Sequence, residues 1–115
     1  MILGLLLIAA QPTVTAPIDP AAMNPAQRRV AAAIGRWMTC LAPQVADRTF
    51  PTASAADAAS AAAMAACRRD GEGLRGALVA GLGRPRGEAL YANVVGQFRE
   101  QVRQGTIRRQ APGAN

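Results

Sequence analysis

The sequence contains no histidine and no lysine. Among its 115 residues are only two cysteines, one tryptophan, one tyrosine and two phenylalanines. Each scarcity excludes something. Without histidine, no Ser-His-Asp or Cys-His arrangement can form, and no His-containing zinc site can be assembled. Two thiols alone neither close an all-thiolate zinc site nor hold an iron–sulfur cluster within one chain. No cofactor or metal is therefore expected. Half of the residues are apolar, but a large share of these are alanines, so the core they build is thin. No alternating pattern points to strands, and no internal repeat is visible.

What the sequence does have is arginine. Thirteen basic residues, all arginine, face seven acids and give a net charge of +6. Arginine-only, alanine-heavy usage most simply reflects a GC-rich genome, and a charge-based function is the weaker explanation.

The opening run MILGLLLIAA is apolar and uncharged. A bilayer span needs roughly 20 apolar residues, about twice this length, whereas the h-region of a secretory signal fits it. Ala10 and Ala16 are the candidate cleavage positions. Val14-Thr15-Ala16 suits the small-x-small rule better, although Pro17 follows it. No cysteine follows closely enough for a lipid anchor, and no transmembrane span is expected in the mature chain. Residues 1–16 are thus read as a signal peptide, 17–24 as a linker, 25–105 as a helical domain and 106–115 as a flexible basic tail. The expected location is the bacterial periplasm or the exterior.

The domain reads as all-α, a small bundle of about four helices stapled by one disulfide. Asn24 is an N-cap and Pro25 suits the first helical position. Val30, Ile34, Trp37 and Leu41 follow at four- and three-residue steps on one stripe, and Pro43 is expected to close this helix. A second helix starts near Thr52 or Ser54 and runs to about Arg69, with Ala56, Ser60, Ala63, Met64 and Cys67 on one face. Gly71, Gly73 and Gly76 are expected to break the pattern. Arg68 and Arg69 then lie at a helix C-terminus, and Asp70 caps a third, weaker helix bearing Leu74, Leu78 and Leu82. The fourth begins between Pro85 and Glu88, carries Leu90, Tyr91, Val94, Val95, Phe98 and Val102, and stops at Gly105.

Few residues point to chemistry. Cys40 and Cys67 each lie on or beside the apolar face of a helix, and the segment between them suits a helical return. A structural disulfide is the expected reading, since a redox pair favours closer spacing such as CxxC. Gly71, Gly73 and Gly76 satisfy GxGxxG, but neither a preceding strand nor a βαβ unit supports a phosphate loop. Asp57 and Glu88 fall near expected helix starts, where negative charge is favourable. No nucleophile–base pair can be assembled, so catalysis is not expected. Arg99, Arg103, Arg108 and Arg109 cluster in the C-terminal part and are the candidate anion-binding residues, with a solvated helix face as the plainer reading.

Three functions follow from this. The first is a small exported accessory or interaction module with an unknown protein partner. The second is a cationic binder of anionic envelope surfaces, lipid or lipid A phosphate, through the last helix and tail. The third, a cytoplasmic nucleic-acid binder, requires that the N-terminus not be a signal; with a signal, nucleic acid is set aside.

Overall fold

A computed structural model describes residues 22–109, so the expected signal and most of the linker lie outside the described residues. Four helices follow one another: α1 Pro25–Val45, α2 Ala53–Ala66, α3 Arg68–Leu82 and α4 Arg84–Gln104. No strand occurs among the described residues. α3 packs on both α1 and α4, while α2 leans on α4 and α1.

α1 starts where its local chemistry dictates. The Asn24 side chain accepts from the Gln27 backbone N–H at 2.8 Å, and the Asn24 N–H donates to Gln27 Oε1 at 3.0 Å. This reciprocal box satisfies two of the donors that a helix start leaves open. The helix then runs through Pro43 instead of stopping there. Proline removes the N–H that would reach the Thr39 carbonyl and crowds that carbonyl with its ring, a cost of about 3 kcal/mol in a helix interior. The turn beyond it places Val45, 3% exposed, in the core, a burial worth about 2 kcal/mol that offsets much of this cost.

The buried line of α1 is Ala33, Trp37, Leu41 and Val45. Trp37 is the centre of the core, with its ring centroid 6.3 Å from that of Tyr91 and 5.9 Å from that of Phe98. The upper part of the expected stripe is not buried: Val30 is half-buried and Ile34 is 37% exposed.

Thr52 caps α2 through its Oγ1, which accepts from the Ala55 N–H at 3.1 Å. Ala56, Ser60, Ala63 and Cys67 form its buried face, and Met64 lies at the edge. Ser60 is wholly buried and donates to the Ala56 carbonyl at 3.0 Å, so its hydroxyl has a partner.

The glycine-rich stretch does not break the chain into a loop. The turn is at Cys67, and α3 takes in Gly71, Gly73 and Gly76. At 15 residues it is no shorter than α2, which has 14. Tertiary packing overrides the low helix propensity of glycine here. A Cβ on Gly71 would stand 3.2 Å from both Trp37 Nε1 and the Tyr91 hydroxyl, so the small residue makes room for the central rings. Arg68 and Arg69 consequently open α3 instead of closing α2, and Asp70 lies within its first turn and is not its cap.

α3 and α4 are joined through Gly83 alone, at φ +87°, a conformation side chains rarely adopt. They then pack closely at Gly87, where a Cβ would meet the Val79 backbone at 2.6 Å. Gly105 ends α4 in the left-handed region, as its position predicts.

The first part of the expected tail is not loose. Ile107 is buried, and its carbonyl accepts from the Asp47 N–H at 2.8 Å. Residues 106–109 therefore fold back on the α1–α2 connection because Ile107 has core to bury into. Residues 110–115 lie outside the described residues.

Candidate functional site

Three features stand out in this bundle: the disulfide corner, the arginine–carboxylate pairs and an apolar groove.

Cys40 lies on the flank of α1 next to the Trp37 line, and Cys67 closes the buried face of α2. Their Cα atoms are 5.9 Å apart and the sulfurs are bonded, as the sequence predicts. Gln44, one turn along α1, covers this corner. Its amide nitrogen donates to the Cys40 carbonyl and to Cys67 Sγ, each at 3.1 Å. Bridges of this kind persist in oxidising, non-cytoplasmic surroundings.

Three of the four candidate anion-binding arginines contact aspartates: Arg103 meets Asp57, and Arg108 and Arg109 meet Asp47. Arg103 of α4 forks onto Asp57 of α2, with Nε to Oδ1 and Nη2 to Oδ2 both at 2.8 Å. That hydrogen bonding, with the nearby charges of Arg103 and Arg99, holds the Asp57 carboxyl below its ordinary pKa. Arg108 donates to the carbonyls of Gly105 and Ile107, and its Nε lies 3.8 Å from Asp47 Oδ1. The Arg109 backbone N–H donates to Asp47 Oδ2 at 3.3 Å. All four arginines are exposed, but Arg103 and Arg108 have their guanidinium groups paired with aspartates of the same chain.

One further acid is engaged in the same way as Asp57. Glu88 of α4 receives Arg75 of α3 through Nε and Nη2 at 2.6 to 2.9 Å, and this bonding lowers its pKa. α2 begins at Ala53 and α4 at Arg84, so Asp57 and Glu88 stand a full turn inside their helices. Ion pairing across helices, not helix-end polarity, accounts for them.

No known family model, curated protein or solved structure matches the chain.

The groove is the feature that sequence reasoning missed. It lies between the start of α1 and the α3–α4 corner and encloses about 670 Å³. Val30 and Leu78 line it, with Ile34, Leu82 and Leu90. The last three, at 37%, 43% and 41% exposure, are the exposed large hydrophobic residues of the described chain, and all of them meet here. Each reads in sequence as an ordinary member of a core stripe. The only available signal was that Val30 and Ile34 lie to one side of the Ala33–Trp37–Leu41 line, and that Leu90 opens a wide arc on α4.

Among the described residues, no helix is long and apolar enough to cross a membrane.

Proposed function

We propose that this protein is an exported, disulfide-stapled binding module that works without catalysis in an oxidising compartment such as a bacterial periplasm. The observation that carries the reading is the Cys40–Cys67 bridge, set into the packed corner of α1 and α2. The signal-like run MILGLLLIAA supports the same compartment. The concentration of exposed apolar side chains in one groove supports a binding role over a purely structural one. The engagement of Asp57 and Glu88 by arginines of neighbouring helices gives these two carboxylates a structural role in joining helices.

The cationic-surface reading has less support, because two of its four arginines, Arg103 and Arg108, are held against aspartates. The nucleic-acid reading requires a reducing compartment, in which the bridge has no reason to persist.

Cell fractionation with N-terminal sequencing tests the proposal. Recovery in the periplasmic fraction with a new N-terminus after Ala10 or Ala16 is expected. Recovery in the cytosol with Met1 intact would overturn it.

A further inference from the structure

The groove has a polarity that points to its occupant. Its floor and walls are apolar side chains from three helices, with Val30 and Ile34 facing Leu78, Leu82 and Leu90. The polar groups that line it are the uncharged amides of Asn24 and Gln27, and no carboxylate lines it. Two arginines flank the lining residues. The Arg28 guanidinium is fixed on the carbonyl of Met23, itself a lining residue, at 3.0 Å. Arg86 is exposed on α4 one turn before the lining residue Leu90. The acid nearest in sequence, Glu88, is tied to Arg75 and is not available to cancel them.

We propose that this groove binds a free single-chain amphiphile with an anionic head, its alkyl chain laid along Ile34, Leu82 and Leu90 and its head at Arg28. The volume of about 670 Å³ is that of a small-molecule site. The charge pattern decides between heads, because an anion is drawn to Arg28 and Arg86 and a cation is repelled by both. It also argues against a second copy of this chain, which would bring its own arginines and a net charge of +6 to the same place. The inference names the ligand class of the binding module proposed above. Its test is a solution measurement that does not depend on where the protein resides, so the two fail separately.

The test is calorimetric titration of the full chain with laurate below its micellar concentration. Dodecyltrimethylammonium and hexanoate serve as head and chain controls. Saturable binding of one laurate per chain is expected, at least about tenfold tighter than either control. Replacing the exposed pair, Leu82→Gln with Leu90→Gln, is expected to weaken laurate at least about tenfold while leaving the melting temperature in place. Arg28→Gln with Arg86→Gln is expected to remove the preference for the anionic head and keep affinity for the chain. The proposal is overturned by any of four results: no laurate binding, equal binding of the cationic amphiphile, binding only to anionic phospholipid vesicles, or a dimer that the leucine substitutions dissociate.

Discussion

Gly87 and Val79 are in backbone contact: a methyl group on Gly87 would stand 2.6 Å from the Val79 Cα and N and 2.8 Å from the Leu78 carbonyl carbon. That approach brings α4 down on α3 directly after the single-residue turn at Gly83. It sets the corner from which Leu82 and Leu90 project into the groove.

Gly87→Ala is therefore expected to destabilise the protein by more than about 2 kcal/mol, since main-chain atoms cannot swing aside as a side chain would. Gly96 lies on the same helix with open space around it. Gly96→Ala is expected to be neutral or to stabilise by about 0.5–1 kcal/mol, because alanine restricts the unfolded chain and suits a helix. Urea unfolding of the two variants checks the contrast, and equal effects would contradict the close approach.

Reduction of the bridge removes a constraint on the unfolded chain. Cys40 and Cys67 are 27 residues apart in sequence. In the chain-entropy model, closing a loop of about 28 residues is worth about 3.5 kcal/mol. Thermal unfolding with and without reductant is expected to show a loss of this order, as is the double substitution Cys40→Ser, Cys67→Ser. An unchanged midpoint would mean that the helices, not the bridge, hold this corner.

Much of this architecture was legible in the sequence because its determinants are local. Asn24 and Pro25 mark the start of α1, Thr52 that of α2, and Gly105 the end of α4, all within a turn of the residues they act on. The small face of Ala56, Ser60, Ala63 and Cys67 shows in its spacing. What failed was set by distant packing. Gly71 reads as a helix breaker until Trp37 and Tyr91 are seen against it. Pro43 reads as a stop until Val45 is found in the core beyond it. The partner of Arg103 is hidden in sequence because Asp57 lies 46 residues earlier. The groove was illegible for a related reason. A helical wheel assigns Ile34 and Leu90 to apolar faces, but only the angle of the α3–α4 corner decides whether anything covers them.

The two inter-helix ion pairs make a directional prediction about acid. The Asp57 and Glu88 carboxyls are held below their ordinary values of 3.8 and 4.5 by hydrogen bonds from Arg103 and Arg75. Their stabilisation is therefore complete above the ordinary carboxylate range. It is lost as pH falls through their lowered folded values. Melting temperatures from neutrality to about pH 2 are expected to fall less steeply for Asp57→Asn with Glu88→Gln than for the parent, with the two converging in strong acid. Both pairs are at the surface, so the effect is small and weakens further with salt. Parallel pH curves would contradict it.

Asp47 sits at φ 58°, a left-handed backbone that aspartate tolerates better than most residues. It binds the returning segment through its N–H to the Ile107 carbonyl and through Oδ2 from the Arg109 N–H. Asp47→Ala removes the side-chain acceptor and the local hydrogen bonding that lets aspartate tolerate the left-handed backbone. Limited trypsin digestion is expected to cut after Arg108 and Arg109 faster in this variant than in the parent. Asp47→Asn, which keeps the left-handed tolerance, is expected to fall between them. Equal cutting rates would mean that Ile107 alone anchors the segment.

The most direct test of the central claim is the thiol state of the protein in its own cells. Intact cells are quenched in acid and alkylated without reductant, and the peptides holding Cys40 and Cys67 are read by mass spectrometry. An exported, stapled module yields the two peptides joined by their disulfide and unmodified by the alkylating agent. Two alkylated cysteines, recovered from otherwise folded protein, would contradict the claim.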